Sequence, residues 1–169
     1  MAVPRELRGT VNALALAGAA VLGVTVAGAV QDKAADRSQD IGWMNGQQAY
    51  LAGLKAEDGW QAMPGGLKWR RVAGSGTGAK PSVEDEVTVH YRGTFIDGEV
   101  FDSSYERGEP ATFPLGRLVK AWQLAIPQMR VGDTIEIAAP ADLAYGPQGK
   151  GPIPGGATLL FTVELLGIS

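Results

Sequence analysis

Residues 87–104, VTVHYRGTFIDGEVFDSS, set one carboxylate, Asp102, directly after an aromatic ring, Phe101, with His90 and Tyr91 a short way upstream. Side chains of an extended strand alternate faces, so Val87, Val89 and Tyr91 share one face and Thr88, His90 and Arg92 the other. Asp97-Gly98 between two such runs is a hairpin signal, and the turn returns Phe101 and Asp102 beside the first run. Aromatic rings and a single carboxylate are thereby aimed into a shared interior. Covalent chemistry finds little equipment here. Ser103 and Ser104 lack a partner base, since His90 faces away by strand parity and no glycine-flanked nucleophile elbow is present. With no cysteine and one histidine, the chain has no disulfide, no thiolate nucleophile, no cysteine-ligated zinc and no histidine-rich metal site.

The elements that must position these groups are short. A chain of 169 residues allows one ordinary domain and an extension. Its 24 glycines and 10 prolines concentrate after Pro64, which points to many short strands and turns. Strands are expected at 67–72, 86–96, 134–139 and 157–167. In the last, Leu159, Phe161, Val163 and Leu165 alternate with Thr158, Thr162 and Glu164. A short helix over 119–126 can cover one side of the sheet. The fold class is α+β, an antiparallel sheet wrapped around a short helix. The glycine run at 74–78 reads as a flexible turn; it lacks the lysine-serine ending of a phosphate loop and the spacing of a dinucleotide fingerprint. A net charge of -3 provides no basic face for nucleic acid.

In order along the chain follow an F-x-L-G run at 113–116, an L-V-K-A-W run ending at Trp122, a Q-M-x-V-G-D turn at 128–133, D-x-A-Y-G at 142–146 and A-T-L-L-F-T-V-E-L-L at 157–166. With the FDSS hairpin they resemble an FKBP-type peptidyl-prolyl cis-trans isomerase of the bacterial, exported type, over residues 66–169. The resemblance implies a proline pocket lined by Tyr91, Phe101, Leu118, Val119, Trp122, Tyr145, Ile153 and Phe161, with the Trp122 ring as its floor. It makes Asp102 and the Tyr145 hydroxyl the polar groups near the substrate carbonyls, and the Val119 N–H a donor to the substrate chain. No cofactor and no metal are implied. Taken singly, each apolar member reads as an ordinary core residue. Asp102 alone reads as a turn cap on the Ser103 or Ser104 amide, which is compatible with pocket duty. Four positions depart from the family pattern: Ala111 replaces a rim aromatic, Lys150 and Pro152 replace aromatic or histidine positions of the lid, and Pro127 replaces a residue with a free N–H.

At the N-terminus, Arg5 and Arg8 precede an uncharged run at 11–30, and Ala27-Gly28-Ala29 offers a small-residue cleavage site. Residues 1–29 are read as an export signal, with a retained membrane anchor as the alternative. Either reading puts the product outside the cytoplasm, periplasmic or held at the inner membrane facing the periplasm. Residues 30–63 are expected to form a mobile tether and then a short helix capped by Asn45, with Gln48 completing a capping box and Gly59 ending it. Residues 64–169 form the isomerase domain. The implied partners are proline-containing segments of unfolded or exported proteins, and macrolide inhibitors of such a pocket. A non-catalytic peptide-binding module or holdase using the same cleft is the rival reading.

Overall fold

The computed structural model describes residues 34–169; the run at 11–30, with its reading as signal or anchor, lies outside the described residues. Among the described residues no helix is long and apolar enough to cross a membrane. Strands β1 (Gln61–Ala62), β2 (Lys68–Ala73), β3 (Glu86–Thr94), β4 (Val100–Ser103), β5 (Ala111–Pro114), β6 (Thr134–Ala139) and β7 (Leu159–Ile168) form one antiparallel sheet. Its order is β1-β2-β6-β7-β3-β4, and β5 pairs with the other half of the same β3 edge that β4 borders.

Alternation decides which face is buried. On β3, Val87, Val89 and Tyr91 are buried; on β7, Leu159, Phe161, Val163 and Leu165 are. Helix α3 (Lys120–Ala125) lies on that apolar face and buries Ala121, Trp122 and Ala125. Register shifts at Arg71/Ala73, Thr88/Val89 and Gly93/Thr94 add twist, which lets the sheet curl around so short a helix. The α+β arrangement expected from the sequence is the one observed, and β6 has the expected bounds. Strand β3 stops at Thr94 because the Phe95 N–H turns to the Glu99 carbonyl and closes the hairpin.

The N-terminal extension departs from expectation. Helix α1 (Ile41–Gly53) starts at Asp40, whose carboxylate accepts from the Trp43 N–H at 2.9 Å, so Asn45 lies inside the helix. Leu54 caps its C-terminal end, and Gly59 closes a separate 3₁₀ turn, Ala56–Asp58. Gln47 is 3% exposed, and its Oε1 accepts the Thr158 N–H at 2.8 Å. Where a tether was expected, Ala34 donates its N–H to the Gly151 carbonyl, and Arg37 stacks over the Trp43 ring at 4.1 Å. The extension is therefore docked on the domain.

The glycine run is also more than a flexible turn. Asp133 is fully buried and accepts from the Gly76 N–H at 2.9 Å, the Arg130 N–H at 3.0 Å and Arg71 Nε at 3.1 Å. A Cβ on Gly74 would stand 2.3 Å from that carboxylate, so glycine permits the loop to wrap an internal anion.

Candidate active site

Asp102, one residue before the end of β4, pairs with Gly93 of β3 and is 7% exposed. One carboxylate oxygen accepts the Tyr91 hydroxyl at 2.7 Å, and the other is ion-paired with the Arg107 guanidinium. Arg107 also donates to the Tyr91 hydroxyl oxygen at 2.7 Å, so the three groups form a closed ring of hydrogen bonds. Helix α2 (Ser104–Arg107) makes this possible by carrying Arg107 back toward β3 within one turn. Ser103 caps α2 by accepting the Glu106 N–H, while Ser104 Oγ bonds the Tyr91 backbone and His90 Nδ1. Asp102 is therefore a partner of two side chains, where turn capping was the plain expectation.

Burial opposes the Arg107 charge, but the hydrogen bonds to Asp102 and Tyr91 outweigh it and hold its pKa above the ordinary value. A cation this close cancels the carboxylate charge locally, so the ring of groups adds polarity to the interior without adding net charge.

Around this ring stand the aromatics. Trp122 is fully buried, with Tyr91 edge-on at 5.4 Å and Phe161 edge-on at 5.4 Å. Phe101 stands edge-on to Phe161 at 5.7 Å. These are the T-shaped separations that aromatic quadrupoles favour. Gly93 is indispensable to the arrangement, since a Cβ there would lie 2.5 Å from the Phe101 ring. Leu118 and Val119, just before α3, and Ile153, in the loop between β6 and β7, complete the apolar wall and are all buried. Among the described residues the Val119 N–H donates to nothing, and its carbonyl accepts from the Trp122 and Gln123 N–H groups of α3.

Tyr145 enters from the same loop. Its hydroxyl is shielded from solvent and has no hydrogen-bond partner among the described residues; the same is true of Trp122 Nε1. Burial, and then the negative charge of Asp102, push the Tyr145 phenol well above its ordinary pKa, so it stays protonated and can serve as a donor. Lys150 Nζ sits over the Tyr145 ring at 5.6 Å.

All nine residues singled out in the sequence converge on this region: eight pack in or against one apolar cluster, and Asp102 is hydrogen-bonded to one of them. His90 points away, its ring stacked on Tyr105 at 4.6 Å. Sequence reasoning missed Arg107, whose pairing depends on the tight turn of α2. It also missed Phe113, whose ring lies 6.1 Å from Tyr91 and 6.3 Å from Trp122. The F-x-L-G run contained Phe113, and the period of two along β5 was too short to show its inward face.

Residues 77–166 match the family model for FKBP-type peptidyl-prolyl cis-trans isomerase. The FKBP-type peptidyl-prolyl cis-trans isomerase FkpA of Aeromonas hydrophila is 46% identical over 121 residues, covering 72% of this chain and 45% of the relative. Outer membrane protein MIP of Legionella longbeachae is 44% identical over 121 residues, covering 71% and 52%. The crystal structure of FkpA from Escherichia coli superposes with a TM-score of 0.73 at 36% identity, over 78% of this chain and 62% of that one. A peptidyl-prolyl cis-trans isomerase from Pseudomonas syringae does so at 0.69 and 31%, over 75% and 92%. The chain spans about half the length of the curated relatives it matches. An aromatic cluster around a neutralised carboxylate, on a sheet that superposes on these structures and within a family match covering most of the domain, leaves one assignment: the chain belongs to the FKBP-type peptidyl-prolyl cis-trans isomerase family.

Proposed function

We propose that this chain accelerates cis/trans isomerisation of X-Pro bonds in proline-containing segments of unfolded or exported proteins, without covalent catalysis. Rotation about the imide meets a barrier of about 20 kcal/mol because resonance is lost as the bond twists. The planar amide is the more dipolar form, so water stabilises the ground state more than the twisted state. An apolar niche that excludes water favours the twisted state, and a cut of about 7 kcal/mol would accelerate rotation on the order of 10⁵-fold.

In this reading the proline ring rests on Trp122 between Tyr91, Phe101 and Phe161, with Leu118 and Ile153 closing the sides. Tyr145 Oη and the Val119 N–H donate to substrate carbonyls, and Asp102 holds the polar edge of the niche, itself held by Tyr91 and Arg107. The observation that carries the proposal is the Tyr145 hydroxyl: a shielded donor without an internal partner among the described residues, on a ring packed against the apolar cluster that contains Trp122. Leaving such a donor unmade costs about 1–3 kcal/mol, which a substrate carbonyl would recover. Macrolide inhibitors are proposed as further ligands of the same niche.

The proposed organisation is a signal or anchor over 1–29, an extension over 30–63 and the isomerase domain over 64–169. The proposed location is the periplasm, free or tethered to the inner membrane. The test is a cis/trans assay on a series of short X-Pro peptides, paired with refolding of a protein limited by proline isomerisation. Acceleration at substoichiometric amounts is expected. Retardation, or a need for equimolar protein, would make the chain a holdase.

A further inference from the structure

Four shielded polar atoms among the described residues lack a hydrogen-bond partner, and they fall in two places. Trp122 Nε1 and Tyr145 Oη belong to the aromatic niche. Trp43 Nε1 and Gln47 Nε2 belong to α1, and both residues line a separate hollow of about 490 Å³. Gln47 is fixed in place, since its Oε1 must face the Thr158 N–H, and this leaves Nε2 as the end without a partner. An orphaned donor is costly in a folded protein, and here the two side chains that carry such donors line one hollow, each donor shielded just behind its surface.

The hollow adjoins the niche. Phe95, on its wall, has its ring 5.1 Å from Phe101, and Pro152 and Pro154, also on its wall, flank Ile153. Gly42 and Gly46 line it one helical turn apart, yet nothing lies within 4 Å of a Cβ built on Gly46. Glycine inside a helix costs about 1 kcal/mol relative to alanine. Packing does not call for it at Gly46, and its absence of side chain leaves the helix wall open to the hollow. The volume lies within the range of small-ligand pockets, enough for a few residues of extended chain.

We infer that this hollow binds the residues flanking the X-Pro bond held in the niche, as an extended apolar stretch whose backbone carbonyls accept from the Trp43 indole N–H and the Gln47 amide. The inference rests on the isomerase reading and deepens it. The short N-terminal helix thereby becomes part of the substrate site, and selectivity extends beyond the residue preceding proline.

Two readouts on the full chain test it. The first is the set of indole N–H signals of the four tryptophans in ¹H–¹⁵N spectra, titrated with an X-Pro tetrapeptide and with a proline peptide of about ten residues, long enough to leave the niche. Both peptides are expected to move the Trp122 signal, and only the longer one the Trp43 signal. The second is the ratio of kcat/KM for the long and short peptides. Trp43→Phe removes one donor, and Gln47→Glu removes the other while keeping an acceptor for Thr158. Each is expected to lower that ratio about three- to tenfold, the worth of one hydrogen bond. A Trp43 signal that stays fixed while Trp122 responds overturns this inference and leaves the isomerase reading standing. So does an equal loss for both peptides, which marks a structural role. Silence at both signals without turnover removes both readings.

Discussion

The Tyr91 hydroxyl donates to Asp102 Oδ2 at 2.7 Å while the Tyr91 ring stands edge-on to Trp122. One side chain thus ties the carboxylate to the aromatic floor, and Arg107 neutralises what Tyr91 holds. Tyr91→Phe keeps the ring and removes the bond, so a stability loss of about 1–3 kcal/mol is expected. Arg107→Leu leaves a buried carboxylate without its cation and should cost more, about 3–5 kcal/mol. Urea unfolding of the two variants checks the order; equal losses would mean that the ion pair is not what holds Asp102.

Gly93 should resist substitution for steric reasons alone. Gly93→Ala drives a methyl into the Phe101 ring, and overpacking of this kind costs about 1–3 kcal/mol. Adding Phe101→Leu should recover stability without recovering turnover, because the niche has then lost a wall. Recovery of both in the double variant would remove Phe101 from the site.

Tyr145 and Trp122 should separate function from folding. Tyr145→Phe removes a hydroxyl that makes no internal bond, so stability is expected to hold or rise slightly while kcat/KM falls about two- to tenfold. Trp122→Ala empties the floor and should cost about 3–5 kcal/mol. Thermal unfolding and peptide assays on both variants distinguish the two roles.

The pH dependence has a definite sign. Burial, and then the hydrogen bond to Asp102, raise the Tyr91 phenol above its ordinary 10.0; burial and the Asp102 charge raise Tyr145. The folded state therefore holds protons that the unfolded chain releases once pH passes about 10. Stability tied to these phenols is fully present below that point and is lost as pH climbs through the raised folded values. Alkaline unfolding should be less steep in a Tyr91→Phe/Tyr145→Phe double variant. Turnover should stay flat between about pH 6 and 8, because the proposed chemistry moves no proton.

Much of this was legible in the sequence where burial follows a simple period. Val87, Val89 and Tyr91 on β3 alternate with polar residues, as do Leu159, Phe161, Val163 and Leu165 on β7 despite Leu160 and Leu166 on the other face, and the structure buries those two apolar sets. Asp97-Gly98 forecast the hairpin that delivers Asp102. Arg107 was hidden because its partner is set by the angle of a single-turn helix. The start of α1 was misplaced because Asp40 and Asn45 are both residue types that cap helices, and it is Asp40 that accepts the Trp43 N–H. Strand β5, four residues ending in proline, is too short for a period to emerge.

The central claim is that the imide turns in a dry niche with no bond made and no proton moved. Exchange NMR of an X-Pro peptide with catalytic amounts of the full chain, run in H₂O and in D₂O, tests it most directly. The account predicts accelerated cis/trans exchange with a solvent isotope ratio near unity. Exchange no faster than in buffer, or a ratio of about two or more, would contradict it.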